Sequence, residues 1–274
     1  MPQLKTLVFA NQKGGVGKSA IATQLAFHGV SVGLRVLVLD LDHQRHTTHP
    51  IVRSRLATSA TISASDLLNA KAPALPEGAF VLIPGDETSS LLERQPEKHN
   101  HFANNVAELL RANQDRFDLC VIDTNPNPDI RYGVSMVVAD FVISPVVLNQ
   151  EALEGIATLL SHSRYGVAKV KAALNPKLEL IGILPNLVEA TPFQKENFAQ
   201  LAQNYAKWLI ELNTSSDKPK FAFIPKRTAI AEAQAAGMPL ASMKKTSARE
   251  AWIEIKPVLD TILKRIGLEA KDGT

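Results

Sequence analysis

Cysteine is almost absent from this chain, and that scarcity narrows its chemistry first. The 274 residues hold one, Cys120. No intramolecular disulfide framework is possible, and an iron–sulfur centre held by the chain's own thiolates is excluded. Cys120 stands in Leu119-Cys120-Val121-Ile122, an apolar run that predicts a buried, inert thiol and suits a reducing cytosol. Also missing is any run of the ~18 uninterrupted apolar residues that a membrane-crossing helix needs. The N-terminus shows no signal-peptide pattern, so the expected location is cytoplasmic. Internal repeats and long linkers are absent too. Nor is there a large charge imbalance. A net charge of +3 permits nucleic-acid binding without establishing it. Hydrophobic residues make up 45%, which supplies a full core and excludes wholesale disorder.

What is present is organised around Asn11-Gln12-Lys13-Gly14-Gly15-Val16-Gly17-Lys18-Ser19. The strand-like run Leu7-Val8-Phe9-Ala10 precedes it, and a helical pattern over 20–30 follows. Strand, glycine loop and Lys-Ser opening a helix together describe a phosphate loop. Glycines let consecutive N–H groups curl around an anion, and the helix N-terminus adds unpaired donors and partial positive charge. Lys18 would reach the β/γ-phosphates of a nucleotide, and the Ser19 hydroxyl would ligate Mg²⁺. Gly14, Gly15, Val16, Gly17 and Ala20 would complete the cradle. The standard spacing wants glycine at position 12. Gln12 stands there, and a second lysine, Lys13, opens the loop instead.

Two further strand ends carry carboxylates. The run Arg35-Val36-Leu37-Val38-Leu39-Asp40 reads as a buried parallel strand and continues Leu41-Asp42-His43-Gln44. Two carboxylates leaving a strand beside a phosphate loop are placed to hold Mg²⁺-bound water or to orient an attacking water. The run Phe117-Asp118-Leu119-Cys120-Val121-Ile122-Asp123 ends in a third, Asp123, which would hold Mg²⁺ through water. His43, His46 and His49 raise a metal-site alternative. Pro50 follows the last of them and no cysteine or acidic ligand adjoins it, so the segment reads as a polar surface loop.

Further strands are expected over 80–85, 141–146, 178–185 and 221–225. Helices are expected over 63–70, 102–112, 130–139, 151–173, 192–212, 226–233 and 247–266, with Pro257 bending or dividing the last. Residues 72–78 read as a loop, and 87–101 as irregular or weakly helical. The alternation predicts an α/β fold, a doubly wound, mostly parallel sheet flanked by helices on both faces. One domain would span 1–274, with the C-terminal helical segment of about 246–268 part of it. Ligands bind such sheets outside the carboxyl ends of the strands. Lys18, Asp40, Asp42, Asp123 and Asn186 all fall at such ends.

The string Lys13-Gly14-Gly15-Val16-Gly17-Lys18-Ser19 resembles the deviant Walker A sequence of the ParA/MinD family of ATPases. Asp40 to Gln44 resembles that family's Asp-x-Asp-Pro-Gln, with His43 in place of proline. Asp123-Thr124-Asn125-Pro126-Asn127-Pro128 resembles its Asp-Thr-Pro-Pro, with the prolines shifted by a residue. Ile224 to Ala233, with Gly237-Met238-Pro239-Leu240, is similar to the family's tail. The likeness runs from Leu4 to about Ile266 and is strongest to short plasmid-partition ParA proteins, those without an N-terminal DNA-reading extension.

The resemblance implies a nucleotide switch. ATP, with Mg²⁺, would close a sandwich homodimer in which Lys13 reaches the partner's nucleotide. Asp42 would serve hydrolysis to ADP, Asp40 would support the metal shell, and Asn186 and Pro225 would border the adenine. The dimer would bind DNA without sequence preference and so associate with the nucleoid, and a ParB-type centromere-binding partner would trigger hydrolysis. Lys226, Arg227, Lys244, Lys245 and Arg249, extended by Lys264 and Arg265, form the candidate DNA face, although charge clusters are usually solvated surface. Three alternatives remain. A MinD-like membrane switch needs an amphipathic C-terminal anchor, and residues 267–274 are polar and mixed in charge. A metabolic kinase or ligase would keep the loop and aspartates without needing Lys13 or the basic cluster. A positioning ATPase for a protein cargo would keep everything.

Overall fold

Strands that are apolar on both sides need cover on both sides, and the computed structural model, which describes residues 3–71, 74–149, 152–212 and 219–269, provides it. The strands and α-helices run β1 (Lys5–Phe9), α1 (Lys18–Ser31), β2 (Val36–Asp40), α2 (Thr48–Ser54), β3 (Thr58–Ser59), α3 (Ala64–Asn69), β4 (Phe80–Ile83), α4 (His99–Ala112), β5 (Leu119–Asp123) and α5 (Ile130–Val138). They continue β6 (Phe141–Val147), α6 (Ala152–Ser161), α7 (Val167–Ala173), β7 (Glu179–Asn186), α8 (Pro192–Tyr205), β8 (Glu211–Leu212), β9 (Lys220–Phe221), α9 (Thr228–Ala236) and α10 (Thr246–Arg265). Seven strands form one parallel sheet of order β3-β4-β2-β5-β1-β6-β7. The expected doubly wound α/β fold is present.

Alternation along the strands divides the core in two. Leu7, Phe9, Leu119 and Val121 face one layer, where α1, α9 and α10 pack. Val8, Ala10, Cys120 and Ile122 face the other, with α3, α4, α5 and α7. Cys120 is fully buried, and burial pushes its thiol pKa well up, so it is inert as expected. The register sets Phe9 and Asp40 each beside Asp123. Three loops therefore leave the same edge of the sheet side by side.

The structure corrects several boundaries. The polar segment after Asp42 contains α2, started by Thr48 at its N-terminus, with Pro50 in the first turn, where a missing N–H costs nothing. The two-residue edge strand β3 was too short to show a period. The helix expected over 151–173 is two, α6 and α7, and residue 151 lies outside the described residues. The helix expected to reach 212 stops at Tyr205; Trp208 sits in a 3-10 turn and β8 follows. Of the strand expected over 221–225, Phe221 alone lies in a strand, and Pro225 makes an isolated parallel bridge with Val188. Phe221 belongs to β9, which pairs with β8 outside the main sheet. The segment 87–98 is two 3-10 turns, and α4 begins at His99. Residues 72 and 73 of the expected loop, and 270–274 of the polar tail, lie outside the described residues. Pro257 neither divides nor ends α10. It is exposed, while the stripe Ala248, Ala251, Ile255, Val258, Leu259 and Ile262 is buried along the whole helix. Tertiary packing outweighs one lost helical hydrogen bond.

Candidate nucleotide site

The loop after β1 is pinned before it reaches α1. Asn11 Nδ2 donates to the Pro145 carbonyl at the end of β6 (2.8 Å), and Asn11 Oδ1 accepts from the Lys13 amide (2.8 Å). Gly15 and Gly17 take φ of 72° and 85°, a region that side chains resist. At Gly17 a Cβ would also lie 2.2 Å from Asn186 Nδ2. That amide donates to the Val16 carbonyl (2.7 Å), so the end of β7 clasps the loop.

Lys18 opens α1 and is buried; its Nζ donates to the carbonyls of Asn11 and Lys13, each at 3.1 Å. Burial lowers its pKa, while Asp123 and Asp42 pull it back up. A charge stranded in a nest of backbone dipoles is ready for an anion. Lys13 leaves the other side of the loop, its stem running past Gly155 of α6. There a Cβ would stand 3.5 Å from Lys13 Cε.

Two carboxylates sit behind the loop with no exposed surface. Asp123 accepts from Thr47 Oγ1 through Oδ2 (2.8 Å), while its buried Oδ1 has no partner. Burial raises its pKa against the opposing pull of Ser19, Thr47 and Lys18. Asp40 is raised too, by burial and then by the charge of Asp123. Its expected metal role needs correction, because its oxygens are already occupied. Oδ1 accepts from the Asp42 amide (3.0 Å), and Oδ2 accepts from Thr48 N (2.8 Å) and Thr48 Oγ1 (2.7 Å). Asp40 shapes the loop that carries Asp42; it is not open to a cation.

Asp42 is buried and accepts from the Gln44 amide (3.0 Å). With loop residues 14–20, Gln44, His46, Pro126 and Gln234 it lines a cleft of ≈ 310 Å³. A neighbouring cleft of ≈ 320 Å³ lies between Lys13 and Gly155. Asn186 lines a smaller apolar cavity of ≈ 120 Å³ with Ala20, Ile21, Ile224 and Ile230. Pro225 instead opens onto an adjoining groove of ≈ 590 Å³ beside Phe198 and Phe223. Asn186 and Pro225 thus border neighbouring spaces, with Arg227 on the rim of both.

The donor set fits Mg²⁺ bound with a nucleotide. The orphaned Asp123 Oδ1 beside the Ser19 hydroxyl offers two oxygens, and Mg²⁺ characteristically adds phosphate and water to one or two carboxylates. Among the described residues no cluster of three His, Cys, Asp or Glu would hold a metal unaided. His43 contacts Arg131 and Asp42 instead.

All five residues of the candidate DNA face are exposed, but three are committed to intramolecular pairs. Lys226 meets Glu189 (3.0 Å), Arg227 meets Glu254 (2.5 Å) and Lys245 meets Glu232 (2.7 Å). Lys244 and Arg249 have no acidic partner among the described residues. Arg265 turns inward to the Ile181 carbonyl (2.7 Å).

Sequence reasoning missed Thr47, Thr48, Arg131 and Gln234. The threonines stood in the tract read as a surface loop. Their signal was two hydroxyls in the segment after a strand-end Asp that needs donors. Gln234, on α9, reaches the carbonyl of His46 (2.8 Å), a contact no local pattern announces.

A family model described as an AAA domain matches residues 4–180. The chain is 33% identical to Protein IncC of Escherichia coli, over 96% of this chain and 70% of that protein. It is 30% identical to the chromosome-partitioning ATPase Soj of Thermus thermophilus, over 89% and 90%. Its fold superposes on a McdA–ATP complex from Cyanothece with a TM-score of 0.77 at 17% identity, covering 98% and 99%. No helix among the described residues is long and apolar enough to cross a membrane.

Proposed function

The chain belongs to the ParA/MinD family of ATPases, close to the plasmid-partition proteins, and on that premise we propose that it is an ATP-switched DNA-partition protein. Bound Mg²⁺ would supply charge neutralisation on the phosphates, held by Ser19 and Asp123. Lys18 would leave its two carbonyls for the β/γ-phosphates, and Asp42 would orient the water that attacks. ATP would close a homodimer across the cleft beside Lys13. That dimer, carrying twice the basic surface, would bind DNA without sequence preference, and a ParB-type partner would stimulate hydrolysis and release. One domain, 1–274, would carry all of this.

The observation that carries the reading is the paired arrangement at the loop. One lysine is folded into the nest that a nucleotide would fill, and a second faces a separate open cleft. A small-molecule kinase would use the first and has no evident need of the second. Light scattering tests the division. Lys13→Ala should bind ATP and remain a monomer, whereas the wild type dimerises with ATP. An undiminished dimer in Lys13→Ala would remove the cross-subunit role.

A further inference from the structure

His43 occupies the position where the resemblance has proline, and the structure gives it a neighbour that no motif announced. Its Nδ1 lies 3.0 Å from Arg131 Nη1 and 3.3 Å from Asp42 Oδ1. Arg131 is buried, its side chain 3% exposed. Asp129 holds it, accepting from Nε at 3.2 Å and from Nη2 at 2.5 Å. Asn125 Nδ2 fixes Asp129 in turn (2.9 Å). The other charges at this corner are engaged elsewhere: Glu93 pairs with Arg164 (2.8 Å) and Arg45 with Glu87 (3.3 Å).

A guanidinium only donates. An imidazole nitrogen 3.0 Å from it must therefore be the acceptor, which puts the ring proton on Nε2. In that tautomer Nδ1 presents a lone pair, and it cannot donate to Asp42 Oδ1. The carboxylate then accepts from the Gln44 amide alone among the described residues. If Nδ1 carried a proton, the ring would repel Arg131 and draw Asp42 aside. Two hydrogen-bonding states compete for one nitrogen.

We propose that Arg131 is a positioning residue for hydrolysis, acting through His43: it keeps the Nδ1 proton off and so leaves the Asp42 carboxylate free for water. This rests on the reading of Asp42 as the hydrolytic group. Without the Arg131 donor the ring is released to turn an Nδ1 proton onto Asp42, and hydrolysis slows while nucleotide binding at Lys18 persists.

The test is ATP hydrolysis by the full chain, with ATP affinity and melting temperature measured in parallel. Arg131→Gln should lower kcat about 10-fold at neutral pH with little change in ATP affinity, within the about 10²-fold that a 1 Å misplacement can cost. In a His43→Ala background the Arg131→Gln substitution should have no further effect on rate. The inference is overturned if Arg131→Gln leaves kcat unchanged, or costs as much without His43 as with it. Should Arg131→Gln fail to fold, Asp129→Asn, which loosens the guanidinium, takes its place with the same expected loss and the same dependence on His43. Asp42→Ala separates the two readings. Wild-type hydrolysis in Asp42→Ala overturns the role of Asp42 and this inference with it. An inactive Asp42→Ala beside an Arg131→Gln that keeps the wild-type kcat overturns this inference only.

Discussion

The edge of the sheet and the basic face of α9 and α10 both carry charge, and they treat it in opposite ways. At the edge Lys18, Asp40, Asp42 and Asp123 are buried, and Asp123 keeps an unpartnered oxygen. At the starts of the helices Lys226, Arg227 and Lys245 are exposed, yet each already has a carboxylate. Buried charge left incompletely satisfied is costly and persists where a ligand completes it. Exposed pairs cost little, contribute little and exchange readily. On the proposed reading the edge would be the nucleotide site, and the face a weak, adjustable surface that gains strength when a dimer doubles it.

The largest effect should come from Lys18. Lys18→Ala removes the charge facing the phosphates and should abolish measurable ATP binding by calorimetry. Near-normal affinity would mean that the loop's backbone suffices. A smaller, opposite-signed effect should follow at Asp123. Its folded pKa is raised, so its ionisation opposes folding: the stability present below the ordinary carboxylate range is lost as pH rises through the raised value. Without nucleotide, Asp123→Asn should therefore be the more stable protein on the alkaline side. A gain of about 1 kcal/mol corresponds to roughly 2–4 °C in melting temperature. The same variant should lose Mg²⁺-dependent hydrolysis. A melting temperature lower than wild type at alkaline pH would contradict the burial argument. The smallest effect belongs to the helices. Glu232→Gln frees Lys245, and should raise DNA affinity a few-fold and steepen its salt slope by about 0.9 for each additional phosphate neutralised. An unchanged slope in filter binding would remove Lys245 from the interface.

The same contrast explains what the sequence made legible. Phosphate loop, strand-end aspartates and sheet were readable because each is local: a glycine spacing, a continuous apolar run, a carboxylate at its end. Arg131 and Gln234 were not, because their partners lie 88 and 188 residues away. Asp40 was misjudged for a related reason, since a motif position does not reveal that Thr48 folds back onto it. The basic residues were found, but their neutralisation by Glu189, Glu232 and Glu254 depends on which helices and loops the fold brings together. Pro257 misled in the other direction, because a local breaker was overruled by a buried stripe on one side of α10.

DNA binding across nucleotide states tests the central claim most directly. Fluorescence anisotropy with two unrelated duplexes, in ATP, in ADP and without nucleotide, would be followed as salt is raised. The account predicts binding in ATP alone, with equal affinity for both duplexes and a steep loss with salt, since phosphate contacts carry no base information. Equal binding in ATP and ADP, or none to either duplex in ATP at low salt, would contradict it.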